Sequence, residues 1–162
     1  MSTSLSPFAA QAGEPTRLET PTGDSAYVMT GTKNTHGSLT VMELVISPKN
    51  GPALHTHLRE DEVWFVLEGK FRFKAGDESF WVSEGGLAFG PRGTPHNFQN
   101  VGDAPARLLV ITAPSGAERL FEDYADLLPG PVDSETLADV VRANWIEFVG
   151  PQLNVSDPLS EE

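Results

Sequence analysis

The chain has only four histidines, and two of them stand close together in Leu54-His55-Thr56-His57. On a strand, side chains at i and i+2 point to the same face, so His55 and His57 can hold one ion between them. Glu62 follows and opens an apolar run, Val63-Trp64-Phe65-Val66-Leu67. A strand running back beside the first brings its leading side chain near His57. Glu60 and Asp61 then fall in the turn and read as solvated acidic residues. A third histidine, His96, follows Pro91-Arg92-Gly93-Thr94-Pro95 and starts a strand with Phe98 on its face. Three imidazoles and one carboxylate suit a divalent transition metal: Fe, Ni, Co, Mn, Cu or Zn. With four protein ligands, an ion that prefers five or six donors keeps open positions, and chemistry occurs there. The remaining histidine, His36, lies in turn-like Asn34-Thr35-His36-Gly37 and is expected to face water.

Such residues need strands to position them. From about Thr20 to Pro114 the chain reads as many short strands, among them 38–47, 63–67, 70–74, 78–82, 87–89 and 106–112. Gly and Pro punctuate them: Gly51-Pro52, Gly69, Gly76, Gly85-Gly86, Gly93 and Gly102. Regular short strands with turn signals predict a sandwich or barrel. Phe71-Arg72-Phe73-Lys74 alternates, which predicts one buried and one wet face. If Glu62 points inward, so do Trp64 and Val66; if His96 does, so does Phe98. Trp64, Phe98, Phe71 and Phe73 are therefore the substrate-binding candidates, suited to a flat apolar molecule. The competing reading is that they fill the interior, as side chains do in small barrels.

The ends of the chain differ from its middle. Residues 1–19 are rich in Ser, Thr, Ala, Gly and Pro and read as a loose arm. Residues 115–150 read as a helical segment. Ser115 and Glu118 form an S-x-x-E capping box, Leu120, Phe121, Tyr124, Leu127 and Leu128 follow at helical spacing, and Pro129-Gly130-Pro131 stops the helix. A second helical pattern carries Leu137, Val140, Val141, Trp145 and Phe148 to Gly150-Pro151. Both apolar stripes are expected to pack on the β body or a neighbour; the competing reading is that Phe121 or Trp145 covers one end of a pocket. Residues 151–162 read as an acidic tail.

The 162 residues suggest one domain able to bury a sizeable core. No cysteine is present, so disulfides, zinc–thiolate sites and thiol catalysis are excluded. A net charge of −12 repels nucleic-acid phosphates and anionic lipid, so neither nucleic acid nor membrane is an expected partner. No apolar run approaches a membrane span, and the N-terminus has no secretory pattern, so a cytoplasmic location is expected.

Two spaced patterns now resemble the cupin family. The family's first motif, G-x5-H-x-H-x(3,4)-E-x6-G, is matched from His55-x-His57-x4-Glu62 to Gly69; Lys49 stands where its first Gly belongs. The second, G-x5-P-x-G-x2-H-x3-N, is matched throughout by Gly85, Pro91, Gly93, His96 and Asn100. The resemblance implies an all-β fold, a jelly-roll barrel followed here by the two C-terminal helices. It also implies metal ligation by His55, His57, Glu62 and His96, and a homodimer. The outward apolar residues Val63, Phe65 and Leu67 fit the last point.

More narrowly, P-x-L-H-x-H-x-x-E-D-E, then R-G-T-P-H, then helices ending in Ile146-Glu147-Phe148-Val149-Gly150-Pro151 resemble bacterial quercetin 2,3-dioxygenase-like cupins. In that group the metal binds a deprotonated enol or phenol oxygen, dioxygen cleaves the ring, and the Glu takes the substrate proton. The resemblance therefore implies that Glu62 is catalytic as well as a ligand, with an aromatic or enolic substrate and O2 as partners. One alternative is a non-redox metal-dependent cyclase, isomerase or decarboxylase that stabilises an enolate. Another is a small-molecule-binding cupin without catalysis.

Overall fold

In the computed structural model, which describes residues 6–11, 15, 17–128 and 130–159, the expected strands form two antiparallel sheets. The first contains β1 (Arg17–Glu19), β2 (Ser25–Thr30), β3 (Thr40–Ile46), β5 (Asp61–Glu68), β8 (Leu87–Gly90) and β10 (Ala106–Ala113), in the order β1-β2-β3-β10-β5-β8. The second contains β4 (Ala53–His57), β6 (Lys70–Ala75), β7 (Glu78–Ser83), β9 (His96–Asn100) and β11 (Ile146–Gln152), in the order β11-β4-β9-β6-β7. The inner faces meet as a jelly roll. Along β3, β5 and β10, buried residues alternate with half-buried ones, as a period of two requires.

Large side chains from both sheets fill the core. Trp64, Phe71, Phe73 and Phe98 interlock, with ring centroids 5.5 Å apart for Trp64–Phe73, 5.8 Å for Phe73–Phe98 and 5.9 Å for Phe71–Phe98. Met42, Leu44, Leu108 and Val110 extend the cluster along the first sheet.

Helix α1 (Thr32–Thr35) follows β2, and exposed His36 caps it in a left-handed conformation, φ 49°. Helices α2 (Glu118–Leu127) and α3 (Ser134–Ala143) follow the barrel as expected, although Pro129 lies outside the described residues. The capping box does not form. Glu118 instead accepts from the amides of Thr32 (2.8 Å) and Gly116 (2.9 Å) and from the Thr40 hydroxyl, and so ties the start of α2 to α1 and β3. Ser115 pairs with the Thr32 hydroxyl. No helix of the described residues is long and apolar enough to cross a membrane.

The second helical pattern runs past its helix. α3 stops at Ala143, and Trp145 turns left-handed at φ 61°. Trp145 is exposed, so it covers no pocket end. Ile146–Gln152 then pairs antiparallel with β4 as β11. Backbone groups along the open edge of β4 reward an added strand more than a further turn of helix would. The last helix, α4 (Leu153–Ser156), packs against β11 and β9, where the Arg72 side chain of β6 reaches it. There Arg72, expected in water, is buried: it donates to Gln99 Oε1 at 2.8 Å and Asp157 Oδ2 at 3.0 Å, and to the Leu153 and Asp157 carbonyls. The N-terminal arm is likewise partly built in, because β1 pairs with β2 and Leu18 packs on the core.

Candidate metal centre

His55 and His57 leave the same face of β4, and His96 enters beside His55 as its antiparallel partner on β9. Glu62 arrives differently from the expectation. β5 belongs to the opposite sheet, so Glu62 faces the histidines across the barrel interior. The turn before His96 is clamped to both neighbours. The Gly93 amide donates to the His57 carbonyl at 2.8 Å, and the Arg92 amide to Asp61 Oδ1 at 2.9 Å. Gly93 has φ 77°, a region that favours glycine, so the R-G-T-P-H string is a geometric requirement for delivering His96. Lys49, standing where the motif has Gly, also adopts positive φ (61°). Its ammonium donates to the Val101 carbonyl at 2.7 Å.

Each of His55, His57, Glu62 and His96 offers one ligand atom, and these atoms lie within 4.8 Å of one another. His57 Nε2 and His96 Nε2 are 3.3 and 3.2 Å from Glu62 Oε2. Hydrogen bonds settle which nitrogen faces the centre. His55 Nδ1 donates to the Ala53 carbonyl at 2.8 Å, and His96 Nδ1 to the Thr94 carbonyl at 2.9 Å. A carbonyl can only accept, so both rings carry hydrogen on Nδ1 and a lone pair on Nε2. The His96 lone pair and a Glu62 oxygen thus face each other, fully buried, with no hydrogen bond made by either atom. Buried acceptors in that relation are costly unless a cation lies between them. The quartet fits a divalent metal ion, and it could hold one.

The electrostatics agree. Burial pulls the His55 imidazole from 6.5 to about 3, and His96 and His57 push the same way. Burial also opposes charge on His57, but the Glu62 and Glu60 carboxylates outweigh it and raise that group. Glu62 would be raised by burial; the His57 and His96 imidazoles bring it to about 2 instead. Trp64 meets the His96 ring edge-on at 5.0 Å and fixes its outer side.

Three of the quartet, His55, His57 and Glu62, line an apolar cavity of about 360 Å³ that runs between the sheets and under α2 and α3. Of the four aromatic candidates only Phe98 lines it. Trp64, Phe71 and Phe73 are buried in the core cluster and are not among the cavity's lining residues, because inward parity places a side chain in the barrel without deciding which part it fills. Residues that sequence reasoning did not assign to the cavity include Met42, Leu44, Tyr124 and Phe148. Phe121 reaches it from the apolar stripe of α2, as expected, but the signal for Phe148 was hidden in a pattern read as helix. Glu60 is a second omission. It is not a solvated turn residue but is only 2% exposed, against the back of His57.

The fold and site together define a class by architecture: a jelly-roll barrel with a three-histidine, one-carboxylate cluster inside it that could hold a metal ion. The comparisons find similarity over part of the chain. Residues 42–112 match the family model described as the cupin domain. A 72-residue stretch is 29% identical to an uncharacterised protein of Methanocaldococcus jannaschii, covering 44% of this chain and 58% of that one. This chain thus spans little more than half of that relative's length. The fold is similar to KdgF from Halomonas sp. (TM-score 0.63, 16% identity, 70% of this chain and 99% of that one). It is also similar to a predicted oxalate decarboxylase from Thermotoga maritima (TM-score 0.59, 18% identity, 66% and 99%). At those identities the likeness is one of fold.

Proposed function

We propose that the chain is a metal-dependent enzyme that acts on a small apolar molecule bearing an enol or phenol oxygen, by a quercetinase-like dioxygenation. One observation carries this reading. His55, His57 and Glu62 end a cavity whose described lining residues include no lysine or arginine. Phosphates and dicarboxylates are normally held by such cations. A lining with Met42, Leu44, Phe98, Phe121 and Phe148 favours an uncharged, flat body instead. The dioxygenase step itself rests on the motif resemblance.

A bound divalent ion would acidify a hydroxyl that coordinates it and, if redox-active, would supply dioxygen chemistry. Glu62 accepts the hydroxyl proton, being the anionic member of the quartet and lying at the cavity's end. The three histidines orient the site and take no proton while their Nε2 lone pairs are engaged. Tyr124 lines the cavity, and its hydroxyl makes no hydrogen bond with a described residue; burial pushes the phenol up, which keeps it a donor toward substrate. The test is oxygen uptake by metal-loaded protein on a panel of flavonols, simple phenols and 1,3-dicarbonyls, with product analysis in air and without it. Ring cleavage coupled to O2 consumption supports the reading. Conversion of a 1,3-dicarbonyl at equal rate without O2 would replace it by the non-redox one.

We also propose a homodimer through the outer face of the first sheet. Val63 pairs with exposed Phe89, and Phe65 with exposed Leu87, so apolar residues face outward from adjacent strands. Apolar strand faces of this kind call for cover. Light scattering at micromolar concentration should give twice 17.5 kDa; a species of single mass would remove the dimer.

A further inference from the structure

We infer that Glu60 is a positioning residue for the metal centre: its buried carboxylate holds His57 with Nδ1–H outward and Nε2 toward the ion. The inference rests on the metal-centre reading above and adds a residue outside the ligand quartet. Glu60 Oε2 lies 3.5 Å from His57 Nδ1. Both atoms are buried, and neither has a hydrogen-bond partner, so each is the polar group that faces the other at ion-pair distance. No lysine or arginine among the described residues forms an ion pair with Glu60. Packing confines the carboxylate further, since a Cβ at Gly116 would stand 3.2 Å from Glu60 Oε1.

A carboxylate is expensive to bury unless something answers its charge. Among the described residues the only group within ion-pair distance of it is an imidazole whose other nitrogen points at the proposed ion. The three histidines differ in this respect. Those at 55 and 96 are oriented by neutral carbonyls of their own chain segments, Ala53 and Thr94. The one at 57 is oriented by a negative charge, which raises the basicity of its ligating nitrogen as well as setting its tautomer. Glu60 also completes the charge count. A divalent ion with Glu62 as its sole carboxylate ligand leaves one positive charge in a poorly solvated interior, and a second carboxylate one imidazole away compensates it.

The experiment is a Co(II) titration of chelator-treated protein, read by the visible d–d spectrum and by chelator competition, on wild type, Glu60→Gln, Glu60→Ala and Glu60→Asp. Glu60→Ala should weaken Co(II) by roughly 10- to 100-fold and alter the spectrum, the usual effect of removing an outer carboxylate. Glu60→Gln keeps size and an acceptor oxygen but loses charge, so its loss should fall at the lower end of that range. Glu60→Asp should recover part of it. In a His57→Ala background, Glu60→Gln should cost no further affinity, a coupling that a merely structural role would not produce. Wild-type affinity and spectrum in Glu60→Gln, or in a folded Glu60→Ala, would overturn the inference and leave the metal centre standing. Failure of wild type to bind one equivalent of Co(II) would instead remove the metal centre, and this inference with it.

Discussion

The indole of Trp64 and the imidazole of His96 meet edge to face at 5.0 Å, over the backbone of Gly90. A Cβ at Gly90 would stand 2.6 Å from Trp64 Cη2 and 3.2 Å from His96 Nδ1. The fully packed core and the proposed ligand therefore share one wall, and a methyl group placed there strains both.

Gly90→Ala should accordingly destabilise the fold by about 1–3 kcal/mol, the usual cost of overpacking. It should also lower metal content, because Trp64 can yield only toward His96 or into Phe73. Urea unfolding with and without added metal separates the two effects. An unchanged midpoint in both would show that the indole relaxes freely.

Removing two adjacent ligands from β4 tests the quartet directly. His55→Ala/His57→Ala should abolish stoichiometric metal in protein purified by gentle means, as measured by elemental analysis. So should His96→Ala alone. Full metal content in the double variant would mean that the ion sits elsewhere.

Glu62→Gln separates holding the ion from moving the proton. The amide retains an oxygen that can ligate but has lost its basic charge. The variant should keep much of its metal and lose turnover by about 10²-fold or more. Metal and rate must come from the same sample. Normal metal with a near-normal rate would assign the proton to another group.

The pH dependence of the chelator-treated protein follows from three groups of opposite sign. His57 is raised in the fold, so its stabilising contribution is complete below 6.5 and is lost as pH rises through its folded value. His55 is held down to about 3, so acidification from 6.5 toward 3 favours the unfolded chain, which binds that proton more readily. Glu62, lowered to about 2, adds stability above 4.5 that is lost as pH falls through 2. Together they place maximal stability near pH 6.5, with a slope on the acid side of up to about 1.4 kcal/mol per unit from His55 alone. Thermal unfolding across pH 3 to 9 checks this. A maximum below pH 5 would contradict the assignment of His55 as a buried neutral imidazole.

What the chain determined alone was whatever depends on neighbours a few residues away. The i, i+2 pair of His55 and His57, the inward parity of Glu62 with Trp64 and of His96 with Phe98, and the Gly93 turn that aims His96 all follow from strand period and backbone conformation. They survive folding because strand parity and the turn's backbone conformation are set within each segment, although the Gly93 turn is then clamped to His57 and Asp61. Tertiary structure decided what depends on partners far along the chain. Glu62 faces His57 from the opposite sheet rather than the adjacent strand. Glu60 is buried because Gly116 passes over it, and Arg72 because its side chain reaches α4. Phe148 lines the cavity because the free edge of β4 drew Ile146–Gln152 into a strand. Trp64, Phe71 and Phe73 point inward as parity requires, yet they fill the core rather than the cavity. Period-two alternation specifies the face of a strand, whereas position along the barrel is set by packing between elements that the chain brings together only when folded.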